Sequence, residues 1–197
     1  VYAPAFTNYV EGIYVGYKYY ETAAQEGFID YDKTVQYPFG YGLSYTEFEQ
    51  KMGDLEEKDG QISVDVEVTN TGDVAGKDVV EVYYNPPYTN GGIEKASANL
   101  IEFAKTDLLQ PGDSQTVTVT FDVEDMASYD ANDAEAYVLE KGDYVISINR
   151  DSHTVLDQKT YIVDDTVVYA GENKRASDDT AATNVFEEAK GDVTYLS

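Results

Sequence analysis

Few side chains in this sequence could carry chemistry, and they lie far apart. The one histidine, His153, stands between Ser152 and Thr154. With no second imidazole, a proton relay or a histidine metal site has little to build on, and a turn residue is the expectation. The run YDANDAE, residues 129–135, presents Asp130, Asn132, Asp133 and Glu135 as oxygen donors of the kind a calcium ion takes. It lacks the length and the glycine of an EF-hand loop, so a solvated loop is expected there. The third candidate is YPFGYGLSYTEF, residues 37–48, which crowds Tyr37, Phe39, Tyr41, Tyr45 and Phe48 around Pro38, Gly40 and Gly42. Aromatic faces suit the C–H faces of sugar rings, but they also bury large areas at interfaces. The proline and glycines turn the chain tightly, so packing at a joint between domains is favoured over a ligand platform. Cysteine is absent, which excludes disulfides and thiolate metal sites. No catalytic residue, metal ligand or cofactor is assigned from these residues, and the substrate-binding residues are unknown.

The charge balance narrows the partners. The sequence sets 13 Lys plus Arg against 38 Asp plus Glu, a formal net charge of −25. Such a surface repels phosphate backbones and anionic bilayers, so neither nucleic acid nor membrane is an expected partner. No apolar run is long enough to cross a bilayer. The opening residues VYAPAFTNYVEG have neither the basic start nor the apolar centre of a signal peptide, and no initiator Met precedes them. An excerpt of a longer chain is the expectation. The compartment stays open, a bacterial cytoplasm being favoured over secretion.

The elements that must position these residues fall into three stretches. In EGIYVGYKYYETAAQEG, residues 11–27, Ile13 and Val15 suit a short buried strand, while Tyr17, Tyr20, Ala23 and Ala24 recur at helical spacing. Gly27 is a natural helix stop, and FIDYDKTVQ after it reads as loop. From residue 61 the period becomes two. QISVDVEVTN sets Ile62, Val64, Val66 and Val68 against Ser63, Asp65, Glu67 and Thr69, the mark of a half-buried antiparallel strand. KDVVEVYY (77–84), a weaker segment within 96–109, SQTVTVTFDV with Val117, Val119, Phe121 and Val123 on one face, two strands hinged at Gly142, and TVLDQKTYIV (154–163) continue the series. About seven short strands separated by turn signals predict a mainly β chain: an antiparallel sandwich of immunoglobulin or fibronectin type III kind. The expected division is 1–52 for an α/β remnant and joint, 53–165 for the sandwich, and 166–197 for an exposed linker and a short new element toward a further domain.

Two long motifs carry a resemblance. EGIYVGYKYYE (11–21) followed by YPFGYGLSYTEF resembles the end of the α/β sandwich domain of family 3 glycoside hydrolases, the β-glucosidase-like enzymes, where the second motif runs directly into a fibronectin type III-like domain. Lys18 stands where that family usually has Arg. The segments VTNTGDVAGKDVVEVYY, LIEFAKTDLLQPGDSQTVTVTF, MASYD and EKGDYVISI follow in family order. The tail NVFEEAKGDVTYLS resembles the connector of a permuted subgroup in which a (β/α)8 barrel comes last.

The resemblance implies a parent enzyme that cleaves terminal β-glycosidic bonds with retention, acting on an oligo- or aryl-glycoside through an aspartate nucleophile and a carboxylic acid/base. The nucleophile belongs to the barrel and the acid/base to the α/β domain upstream, so neither maps onto residues 1–197. The implied partners are those two domains of the same chain. Glu11 is the only acid inside a strong motif, and a helix-start or interdomain hydrogen-bonding role is expected for it rather than catalysis. A free-standing carbohydrate-binding or adhesion module is the alternative, because a sandwich fold alone does not decide.

Overall fold

The computed structural model describes residues 12–182. Glu11 and the tail NVFEEAKGDVTYLS lie outside the described residues. Two packed antiparallel sheets form the body. The first holds β1 (Phe48–Lys58), β2 (Gln61–Asn70) and β5 (Ser114–Asp122) in the order β1-β2-β5, and the second holds β3 (Val79–Asn85), β4 (Asn99–Lys105), β8 (Gly142–Asn149) and β9 (Val155–Val163) in the order β4-β3-β8-β9. A small third sheet, β10-β7-β6, joins β6 (Ser128–Asp130), β7 (Ala136–Leu139) and β10 (Val167–Tyr169). It closes one end of the core with Met126, Ala127 and Leu139.

The alternation read in the sequence is the alternation of burial. In β2, Ile62, Val64, Val66 and Val68 are at most 1% exposed. Their partners across the ladder, Phe121, Val119 and Val117 of β5, sit opposite Ile62, Val64 and Val66. From the facing sheet come Val80, Val82, Tyr144, Ile146 and Ile148, all fully buried. One residue of slip in β2 would turn four branched side chains into water, so the register is firmly specified.

No period announces β1, whose residues Glu49, Lys51, Asp54, Glu56, Glu57 and Lys58 look too charged for a strand. It forms because Phe48, Gln50 and Met52 alternate inward, a bulge between Met52 and Leu55 returns Leu55 to the core side, and Asp59-Gly60 makes a two-residue hairpin with φ of 53° and 81°, the left-handed pair a type I′ turn requires. The strand begins at Phe48, inside the segment read as the joint.

Four other expectations change. Residues 28–36 are not all loop, since α2 (Tyr31–Thr34) is a helical turn. Ile13 and Val15 form no strand and are exposed; within the described residues no sheet edge accepts them. The pattern does not end at 165, because β10 pairs with β7. Nor is the stretch from 170 to 182 a free linker. Arg175 stacks on the Tyr137 ring at 3.6 Å and forks onto both carboxylate oxygens of Asp178 at 2.8 and 2.9 Å, while the Ala176 N–H donates to Glu124.

The body predicts a large penalty for hollowing the core. Phe121→Ala should cost about 3–5 kcal/mol in urea denaturation. A loss below about 1 kcal/mol, the range of surface changes, would refute the facing assigned to β5.

Candidate functional site

The most concentrated chemistry lies where the N-terminal helix meets the outer face of the four-stranded sheet. Helix α1 (Tyr17–Gln25) is only nine residues long, too short to persist alone in water. It ends where Gly27 N–H bonds the Ala24 carbonyl and Phe28 N–H the Ala23 carbonyl, the paired closure of a Schellman motif. Three of its side chains then tie it to the sandwich. Tyr17 Oη accepts from the Leu100 N–H at 2.9 Å, and Thr22 Oγ1 accepts from the Ser97 N–H at 3.0 Å.

The third is Glu21, a carboxylate only 7% exposed. Its Oε1 accepts from the Tyr31 hydroxyl at 2.6 Å and from the Ser152 hydroxyl at 2.8 Å, and its Oε2 meets His153 Nδ1 at 2.8 Å. A carboxylate only accepts, so Nδ1 carries the hydrogen here. The His153 ring lies flat on Tyr31, with centroids 3.7 Å apart and planes 4° apart. Burial first, and then the Glu21 carboxylate at its hydroxyl, push the Tyr31 phenol well above its ordinary range.

His153 is indeed in a turn. Asp151 Oδ1 accepts from the N–H groups of His153 and Thr154. What the sequence reading missed is Glu21. The signal was present: Tyr17, Glu21 and Ala24 share one helix stripe at i, i+4 and i+7, and an acid on an otherwise inward stripe asks for a partner.

The aromatic segment divides in two. Its end is anchored: Phe48 packs against the core, and Thr46 Oγ1 donates to Asn70 Oδ1 at 2.8 Å, while Asn70 Nδ2 donates to the Val74 and Leu109 carbonyls. Its middle lies over the helix. Phe39 stacks on Tyr17 with centroids 4.7 Å apart, and its carbonyl accepts from the Ser152 N–H at 2.8 Å. Gly40 has a φ of 87°, the left-handed region that favours glycine, and a Cβ there would push on the Glu81 carboxylate. On either side of it Tyr37, Phe39 and Tyr41 remain exposed, with Leu43 at 90% and Tyr45 at 97%. Two arms of one segment therefore differ sharply, one locked into the sandwich and one presenting bare rings.

The acidic loop turns on itself. Asp130 Oδ1 accepts from the N–H groups of Asn132 and Asp133, and Oδ2 from that of Ala134. Burial alone would raise the Asp130 pKa, but the three N–H donors outweigh it and hold it below the usual carboxylate range. Asp130 thus caps its own loop, and among the described residues no group of three or more His, Cys, Asp or Glu is placed to hold a metal ion.

Against this geometry the comparisons are specific. Residues 78–152 match the family model described as a fibronectin type III-like domain, and the sandwich is of that class. β-Glucosidase A of Butyrivibrio fibrisolvens is 42% identical over 159 residues, covering 71% of this chain and 18% of that protein. The crystal structure of a Kluyveromyces marxianus β-glucosidase in complex with glucose superposes with a TM-score of 0.71 at 32% identity, over 82% of this chain and 18% of that one. A family 3 β-glucosidase of Bifidobacterium adolescentis gives a TM-score of 0.66 at 29% identity, over 78% and 21%. The chain belongs with the fibronectin type III-like part of the family 3 glycoside hydrolases. It spans 16% to 20% of the length of the first curated relatives it matches.

Two outcomes follow from the site. Glu21→Ala leaves the Tyr31 and Ser152 hydroxyls without their buried acceptor, and should cost about 1–3 kcal/mol in denaturant unfolding, with the α1 amides losing exchange protection. Glu81, which accepts from the Tyr83 hydroxyl at 2.9 Å, has its pKa raised, chiefly by burial. The folded state therefore holds this proton more tightly than the unfolded chain, and stability falls as pH rises from the unfolded to the folded pKa. Glu81→Gln should raise stability at pH 7 and leave it unchanged at about pH 3, below the ordinary carboxylate range; an equal effect at both pH values would rule this out.

Proposed function

We propose that this chain is the accessory, non-catalytic part of a retaining β-glucosidase, in which the sandwich holds the catalytic domains in position. The observation that carries this is the half-buried aromatic segment. One end is locked to the sandwich through Thr46, Asn70 and Phe48, while Leu43 and Tyr45 stand almost wholly exposed beside Tyr37 and Tyr41. Monomeric proteins rarely leave such a contiguous apolar patch bare. The matched relatives are about five times as long as this chain, and a further domain of such a chain would offer the surface that covers it.

In this reading residues 1–52 close an α/β domain, 53–165 form the body of the sandwich, to which β10 and the strap to Asp178 are added, and the chain then leads toward a barrel, with β1 straddling the first boundary. The substrate of the parent is a terminal β-glucoside. Retaining chemistry needs two carboxyl groups about 5 Å apart across an open site. Glu21 is the one carboxylate facing the cleft under α1, and both its oxygens are engaged by Tyr31, Ser152 and His153, so this chain supplies a scaffold rather than the reacting pair.

The purified 197-residue chain should show no turnover of nitrophenyl β-glucoside above a mock preparation, and measurable turnover would refute the scaffold role. In the full-length enzyme, Phe39→Ala combined with Tyr45→Ala should lower Tm and leave KM for small glucosides near normal. An unchanged Tm with a large rise in KM would make the segment a sugar platform instead of a joint.

A further inference from the structure

A cavity of about 420 Å³ lies between α1–α2 and the outer face of the four-stranded sheet. That volume is within the range of small-molecule sites, roughly 300–1,000 Å³. Three adjacent strands bring a row of polar side chains to it: Asn85 of β3 and Ser147 and Asn149 of β8 on the floor, and Gln158 of β9 at the rim. They stand together because Ser147 is paired with Tyr83 on one side and Gln158 on the other, while Asn149 is paired with Glu81 and Val155. The alternate residues Ile146 and Ile148 point into the core, so Ser147 and Asn149 are committed to the opposite face.

An outward sheet face covered by a helix would ordinarily be apolar. Here amides and hydroxyls share the lining with Ile29, Val145 and Val155. Asn149 is 2% exposed, and its side-chain oxygen has no hydrogen-bond partner among the described residues. A buried carbonyl left unpaired costs stability, and a ligand hydroxyl would supply the missing donor.

The chemistry of the lining selects the ligand class. No Lys or Arg borders the cavity, and the chain carries a net charge of −25, so an anion finds neither partner nor favourable field. A cation finds only Glu21, whose oxygens are already taken by Tyr31, Ser152 and His153. Side-chain amides and hydroxyls both donate and accept, as do the hydroxyls of a polyol. The His153 ring, 42% exposed at the rim and stacked on Tyr31, adds a flat surface. We propose that this cavity binds an uncharged polyhydroxylated molecule of monosaccharide size, with Asn149 and Ser147 as its central hydrogen-bond partners and Gln158 at its edge.

The test is a titration of the ¹⁵N-labelled 197-residue chain with D-glucose, myo-inositol and sodium sulfate, followed residue by residue by NMR. Saturable millimolar shifts centred on Ser147, Asn149, His153 and Gln158 are expected with at least one of the two uncharged ligands and none with sulfate. Asn149→Ala should weaken binding about tenfold, the equivalent of one well-made hydrogen bond. Gln158→Ala, an exposed rim position that leaves the fold intact, should weaken it by a smaller factor. Absence of saturable shifts with both polyols, shifts centred elsewhere, affinity unchanged in both variants, or sulfate moving the same residues would each overturn the proposal.

Discussion

A carboxylate under a short helix governs how the two parts of this chain meet. Glu21 is buried, and a buried carboxylate without donors would be strongly unfavourable. Its donors come from two elements, Tyr31 on α2 and the Ser152–His153 turn after β8. All three contacts can be made together only if α1 takes one seat on the sheet. That seat sets Tyr17 against Phe39 and against Tyr83, brings the Phe39 carbonyl to the Ser152 N–H, and draws Gly40 onto Glu81. The cleft beneath the helix belongs to the same arrangement, since Glu21 and its partners Tyr31, Ser152 and His153 all line it.

The aromatic segment gains its meaning from this seat. Thr46 and Asn70 form a buried polar knot in which the Asn70 side chain accepts from Thr46 and donates to two carbonyls. Such a satisfied amide specifies one chain path where an apolar contact would tolerate several. The rings upstream of the knot are therefore held on a defined route even though their faces are exposed, which is what a preformed contact surface requires. Order in the backbone and exposure of the side chains coexist here without conflict.

Legibility in the sequence followed periodicity. β2 and β5 were readable because branched and aromatic residues alternate with polar ones for eight or more positions, and β8 because Tyr144, Ile146 and Ile148 recur at every second position; a half-buried strand imposes that pattern. β1 was not, because its inward positions include Gln50 and Gly53 among the glutamates; the Asp59-Gly60 turn was the readable clue. β6 and β10 have three residues each, too few to display a period. The helix was visible, but its working residue was hidden by type. Glu21 on an inward stripe reads as an exception to amphipathicity, and its partners Tyr31 and Ser152 are ten and 131 positions away. Spacing along a chain does not reveal contacts that a sheet edge and a turn bring together. Asn149 was hidden likewise, an ordinary polar position on a strand until a helix is laid across it.

The strap after β10 has a dynamic consequence. Arg175, stacked on Tyr137 and forked onto Asp178, anchors the path of the chain well past the last strand. Without these contacts the roughly nine residues from Ala170 to Asp178 would be free to sample many paths once β10 ends at Tyr169. With them, a clasp on Tyr137 must let go before β10 can peel away from β7. Arg175 thus acts as a latch on the smallest sheet, slowing the opening of an edge too short to hold itself.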